Sequence, residues 1–362
     1  MPDMDKSAAA MAKQVLDEHL RPIRPLLDDL DVQEVMINRH DNIWFERNGK
    51  MIYLADIQLA KASLEASITL LANLNGKPDT LIMDCQLPDL RIASARQPVA
   101  IHGPMLCIRK HMAHHLSLPN YVASGAFNTL PHTPQNSPQG AALATSPSAF
   151  LRQAMQTGGQ ALQQFFEWAI HSRQNLIVCG STSSGKTTLL NALIEVIPND
   201  DRLITIEDTS ELQIRVPNYV SFEAHPARGV NLRELVRLSL RCRPTRIIVG
   251  EIRGAEAFDL MDALNTGHPG SVVSFHANSA ELALTRLESL IRMAPEAQNW
   301  PLADLRQQIA ATFRYVVQAQ RIGSLRGPWE IREILGVAGK RYQTRLLFSK
   351  IRQAAKAYDT VQ

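Results

Sequence analysis

The segment "NLIVCGSTSSGKTTLLNALI", Asn175–Ile194, decides the fold. Leu176, Ile177 and Val178 make a short apolar run of the kind that passes through a buried strand, and the apolar residues after Lys186 recur as on a helix. Between them "GSTSSGKT", Gly180–Thr187, fits G-x-x-x-x-G-K-[ST] in the strand–loop–helix setting that gives the motif its meaning. Gly180 and Gly185 let the backbone curl so that amides and a helix N-terminus face phosphate oxygens. Lys186 adds a point charge, and the Thr187 hydroxyl is suited to Mg²⁺. Ser181, Thr182, Ser183, Ser184 and Thr188 complete the nucleotide-binding stretch. The plain alternative is a Gly-Ser-rich turn that only caps a helix.

Outward from this loop, helical patterns alternate with β-branched runs. "RLITIE", the helix "NLRELVRLSLRC", "RIIVGE", the helix "AEAFDLMDALN" and "SVVSFH" follow in turn. Such alternation calls for an α/β fold whose sheet is mainly parallel and covered by helices. Upstream the texture changes. After a first helix over "AAAMAKQVLDEHLRPI", the runs "VQEVMIN", "NIWFER" and "MIYLA" alternate apolar and polar residues; a helix near Ala62–Asn75 and the strands "LRIASA" and "MLCIRK" complete a smaller α+β domain. The stretch 129–149 is rich in Pro, Ser, Thr and Gln and nearly uncharged, so it reads as a linker. The expected organisation is an N-terminal α+β domain over 1–128, the linker, and a C-terminal P-loop domain over 150–362.

Composition sets bounds on the rest. With 362 residues and 45% hydrophobic content, the chain can bury two ordinary cores. A net charge of +3 gives no support to direct nucleic-acid binding. Cys85, Cys107, Cys179 and Cys242 are scattered without a C-x-x-C pair, which argues against zinc and a disulfide framework and fits a reducing cytosol. The polar start and the lack of any long apolar run predict neither a signal peptide nor a membrane span.

Carboxylates stand at two further strand ends: Glu207-Asp208 after "RLITI" and Glu251 after "RIIV". In a doubly wound sheet such strand ends converge on one crevice. Where phosphate-cleaving sheets commonly present Asp to Mg²⁺, this strand ends Gly250-Glu251. A third strand ends in His276. Taken singly, Glu207 or Asp208 could cap the next segment, and a lone His at a strand end is more often structural.

In order and spacing, "GSTSSGKTT", "LITIEDTSEL", "RIIVGEIRGAEAFDLMDALNTGHPG" and "SVVSFHANSAELALTRLESL" resemble the Walker A, Asp box, Walker B and His box of the secretion ATPases. That superfamily holds type II and type IV secretion and pilus-retraction motors. The chain most resembles its conjugal-transfer and type IV secretion branch, including the N-terminal "LDVQEVMINRHDNIWFERNG" and the C-terminal "RYVVQAQR" and "EILGV". The resemblance implies a RecA-like ATPase domain in a cytoplasmic homohexamer, peripheral at the inner membrane. It would hydrolyse ATP with Mg²⁺ to drive pilus assembly or substrate transfer with inner-membrane partners. It also implies that Glu251 activates or orients water, that Glu207 supports Mg²⁺ and water beside Thr187, and that His276 is the His-box histidine. Arg91 and Arg109 match arginines that reach the phosphates, as a permanently charged guanidinium can. From spacing alone both are solvated strand-surface residues, and Arg96 competes for either role.

Ser181 and Ser183 stand where the family often has Gly, and Thr245 where an Asp commonly follows "R-P". Arg233, Arg237 and Arg241 form a basic stripe, read as a solvated helix face or a subunit interface. His268 either braces the turn "TGHPG" or relays a conformational change. The tail "RYQTRLLFSKIRQAAKAYD" is expected as a surface helix, with lipid or partner contact as its other use. Two other functions fit the same loop: an ATP-operated assembly switch with little hydrolysis, and a monomeric kinase.

Overall fold

The alternating residues of the N-terminal third build an antiparallel sheet. The computed structural model describes residues 11, 14, 17–74, 80–87, 90–110, 147, 151–152, 155, 158–322 and 325–350. The chain divides into two compact units, Met1–Gly140 with Asn199–Ser210 and Val216–Ile247, and Ala141–Pro198 with Glu211–Arg215 and Ile248–Gln362. The stretch read as a linker, apart from Pro147, and residues 8–10, 12, 13, 15 and 16 of the expected first helix lie outside the described residues.

In the first unit, β1 (Val32–Arg39), β2 (Asn42–Arg47), β3 (Lys50–Tyr53), β4 (Ile82–Gln86), β5 (Leu90–Ala95) and β6 (Met105–Lys110) lie in the order β3-β2-β1-β6-β5-β4. Successive side chains of a strand point to opposite faces. Val35, Phe45, Ile92 and Ile108, register partners across four strands, therefore share one face. They pack with Leu64, Ile68 and Leu71 of the helix Lys61–Leu74, whose spacing puts its apolar residues on one stripe. The opposite face carries a polar row beside the buried Met36, Ala93 and Cys107. Arg91, Arg109, Glu34 and Glu46 succeed one another in register across β5, β6, β1 and β2.

The same unit contains β8 (Arg202–Glu207) and β9 (Asn218–Glu223), paired in parallel. Arg202 is fully buried, and its guanidinium donates to Asn38 Oδ1 and Asn218 Oδ1, each at 2.5 Å, and to the Cys242 carbonyl at 2.7 Å. One side chain thus ties β1, β9 and the chain after the helix Leu232–Ser239 to β8. Thr245 holds the Arg202 backbone on both sides. Its hydroxyl accepts from Arg202 N at 2.7 Å and donates to Arg202 O at 2.9 Å. An ionised Asp could make only the first of these bonds, so threonine at this position has a structural reason.

Arg241, the last residue of the basic stripe, and Arg243 beyond it pair with acids far away in sequence. Arg241 Nε reaches Asp84 at 3.3 Å, and Arg243 clasps both Glu46 oxygens at 2.9 and 2.5 Å. Burial raises the Glu34 pKa to about 7, against the opposing charges of Arg202, Arg243 and Arg109. The helix Leu232–Ser239 begins with a capping box: Glu234 N donates to Asn231 Oδ1 at 3.0 Å, and Asn231 N to Glu234 Oε2 at 2.9 Å. Asn231→Ala should lower unfolding free energy by about 1 kcal/mol in urea titration, the usual cost of a lost cap.

In the second unit, β7 (Leu176–Cys179), β10 (Arg246–Val249, of which Ile248 and Val249 belong to this unit), β11 (Val272–Phe275), β12 (Tyr315–Ile322), β13 (Leu325–Ala338) and β14 (Arg341–Ser349) run β14-β13-β12-β7-β11-β10. The β12-β7-β11-β10 pairs are parallel and the two outer pairs antiparallel. The tail expected as a helix is corrected here: Arg341–Ser349 is a strand, and residues 351–362 lie outside the described residues. Tyr342, Thr344 and Phe348 suit a strand, and Gly339, at φ 57°, turns the chain back so that Ala338 faces Arg341.

Candidate nucleotide site

The run Leu176–Cys179 is fully buried as β7, and the helix Lys186–Glu195 follows the loop. Gly180 lies at φ 155°, where a Cβ would stand 2.3 Å from the Ala319 carbonyl oxygen; no side chain fits. Gly185 precedes the helix in the left-handed region, at φ 96°. Ser183 adopts φ 60° without glycine's freedom, so this serine departure carries backbone strain. Ser181, Thr182, Ser183 and Thr188 are exposed, Ser184 is buried and Thr187 is half-buried in the first helical turn. Amides of that turn lack intrahelical acceptors, which makes an anion their natural partner.

Lys186 is only 8% exposed. Its ammonium donates to Gly180 O at 3.2 Å and Ser181 O at 3.1 Å and meets His276 Nδ1 at 3.3 Å. Burial lowers its pKa, with the Glu251 charge opposing. His276 Nε2 lies 3.0 Å from Glu251 Oε1. His276 Nδ1 also lies 3.2 Å from Gly180 O, so the ring bridges the loop and the Glu251 carboxylate. Lysine, histidine and glutamate from the ends of three parallel strands thus form one chain of hydrogen bonds.

Arg253 joins them. Its Nε and Nη2 donate to Glu251 Oε1 and Oε2 at 3.0 and 3.1 Å. Burial pushes the Glu251 carboxyl up, but the bonds from Arg253, the charge of His276, and Lys186 outweigh it, and the net pKa is lowered. Sequence reasoning missed Arg253. The signal was present in "GEIRG", because residues two apart in extended chain share a side. Beside this cluster lies an open depression of about 410 Å³, bordered by Ser181, Thr182, His276, Asn278, Leu282 and Arg286.

The remaining candidates belong to the first unit. Glu207 ends β8 opposite Glu223 and is 3% exposed. Arg91 and Arg109 are register partners on β5 and β6. Arg91 holds Asp84 through Nε at 3.3 Å and Nη2 at 3.1 Å, and Arg109 is exposed. Arg96 turns to Thr69 Oγ1 at 3.2 Å. In the second unit, His268 Nδ1 lies 3.1 Å from the Ala263 carbonyl and Ser271 Oγ donates to His268 O at 3.0 Å, so this histidine braces its turn. Among the described residues no three His, Cys, Asp or Glu side chains gather as a protein-only metal site. A Mg²⁺ that binds through substrate phosphates and one or two protein oxygens needs no such cluster.

Residues 142–327 match the family described as type II/IV secretion system protein. The chain belongs to this family. Two relatives bear out the secretion-ATPase resemblance at full-length scale. The conjugal transfer protein TrbB of Rhizobium radiobacter is 32% identical over 326 residues, covering 88% of each chain. The type IV secretion system protein VirB11 of Brucella suis biovar 1 (strain 1330) is 32% identical over 328, covering 86% of this chain and 87% of that one. The crystal structure of the VirB11 ATPase from the Brucella suis type IV secretion system, in complex with sulphate, superposes with a TM-score of 0.78 at 31% identity. It covers 91% of this chain and 97% of that chain. The expected α/β class, with a P-loop domain and an N-terminal α+β domain, is the fold of this secretion-system family member. No described helix is long and apolar enough to cross a membrane.

Proposed function

We propose that this protein is an ATP hydrolase that works as a homohexamer, peripheral at the cytoplasmic face of the inner membrane. It powers conjugative pilus assembly or substrate transfer through a type IV secretion system, together with inner-membrane components of that apparatus. The observation that carries this reading is the chain Lys186–His276–Glu251 at the mouth of the phosphate-type loop. A loop without room for a Cβ at Gly180, a buried lysine, and a helix N-terminus are features that fit a polyphosphate.

In this reading Gly180–Thr188 cradles the phosphates, and Lys186 exchanges its carbonyl partners for phosphate oxygens. Thr187 and Glu207 hold Mg²⁺, which when bound neutralises charge on the phosphates. His276 contacts the terminal phosphate, Glu251 orients the attacking water and takes its proton, and Arg91 and Arg109 add charge to the phosphates. The N-terminal domain 1–128 and the ATPase domain 150–362 work across the linker.

The test is steady-state hydrolysis of Mg²⁺–ATP, with light scattering in the same buffer. Turnover by a particle with the mass of six chains is expected; near-zero turnover at any mass points to the assembly switch, and activity confined to monomers counts against the motor. Lys186→Ala should weaken ATP binding about 10- to 150-fold by fluorescence titration, the loss of charge-assisted hydrogen bonds.

A further inference from the structure

Glu251 is held from more sides than a water-activating carboxylate requires. A carboxylate has about four acceptor sites. Here Oε1 takes both Arg253 Nε and His276 Nε2, and Oε2 takes Arg253 Nη2. Roughly one site is left for a water.

The backbone beneath the clamp is fixed. Ser274 Oγ donates to Gly250 O, and Ile252 N donates to Ser274 O at 2.8 Å. Glu256, buried at the start of the helix Glu256–Asn265, takes Arg253 N at 2.6 Å and Gly254 N at 2.8 Å on one oxygen. The Arg253 side chain itself is 62% exposed, so an arriving ligand can reach its guanidinium.

From this geometry we propose that Arg253 is a positioning residue: its guanidinium holds Glu251 at rest and must release it before water can be activated. The inference rests on the reading that Glu251 acts on water. The balance of energies permits release. An ion pair this exposed contributes little, whereas phosphate is a strong bidentate ligand for guanidinium, so an arriving phosphate can draw the fork away. Release frees two acceptor sites and removes a cation that weakens Glu251 as a base. The charged and titratable groups facing Glu251 are Arg253, His276 and Lys186.

Single-turnover hydrolysis of Mg²⁺–ATP across pH tests this, because product release does not enter. Arg253→Ala should raise the single-turnover rate constant about two- to five-fold, the worth of an exposed pair, with half-saturation unchanged. The acid limb of its profile should move to higher pH, since the clamp lowers the Glu251 pKa. Arg253→Lys, with one ammonium that cannot span both oxygens, should fall between. A slower Arg253→Ala and Arg253→Lys, or an unmoved acid limb, overturns the clamp. Glu251→Gln in the same series separates the two layers. If it retains turnover, the water-activating reading falls and takes the clamp with it. If it loses turnover while Arg253→Ala matches wild type, the clamp alone falls.

Discussion

Glu251→Gln is expected to keep ATP binding and to lose turnover, by about 10²- to 10⁴-fold in kcat, the usual range for removing a general base. The substitution preserves volume at a half-buried position. It replaces an acceptor of charge-assisted bonds by an amide whose –NH₂ must face a donor, either from Arg253 or from His276. Ground-state binding should survive, because Lys186, the loop amides and Gly180 are untouched. Chemistry should not, because an amide cannot take the proton of water. Steady-state kinetics with a fluorescent-nucleotide titration separates the effects: a fall in kcat at unchanged Kd is the expected result. Turnover within a few-fold of wild type would remove Glu251 from the water-activating role. In the wild type, the lowered Glu251 pKa keeps the carboxylate ionised through neutral pH. Activity that depends on it is then present above the usual carboxylate range and is lost only as pH falls below it.

The site's parts differ in how visible they are in sequence, and the reason is distance along the chain. The loop declares itself because its glycines, lysine and threonine act within eight residues, each for a backbone reason the structure repeats at Gly180 and Gly185. Glu251 and His276 are visible one step further away, as polar residues at the ends of buried strands. Their direct meeting, with Lys186 on the far side of the His276 ring, depends on side-chain direction, which spacing does not encode. The arginines show the limit. Arg241 at the end of the stripe and Arg243 just beyond it look alike in sequence, yet Asp84 and Glu46 claim them from far upstream. β4 and β9 are not marked by a clear alternation, although "NYVSFE" carries β-prone residues between prolines. The misread tail has a local cause: basic residues and leucines suggest an amphipathic helix, while Gly339 and an antiparallel partner in β13 impose a strand. Thr245 gains its meaning only from the Arg202 backbone it grips on both sides.

The largest effect on stability is expected at Asp201 and Arg246, at the start of the strand that delivers Glu251. Both side chains are 1% exposed, with Arg246 Nε 2.6 Å from Asp201 Oδ2. Burying two charges costs several kcal/mol each, and their attraction does little more than offset that. Removing one partner leaves the other charged and dry. Asp201→Leu or Arg246→Met alone should therefore lower the unfolding free energy by about 3–5 kcal/mol. The double variant, which removes both charges and fills the space with apolar atoms, should recover most of the loss. Urea unfolding followed by tryptophan fluorescence reads this cycle, Trp44 reporting from the same unit. A coupling energy near zero, with each single variant costing under about 1 kcal/mol, would show that water reaches the pair and that burial does not set its strength.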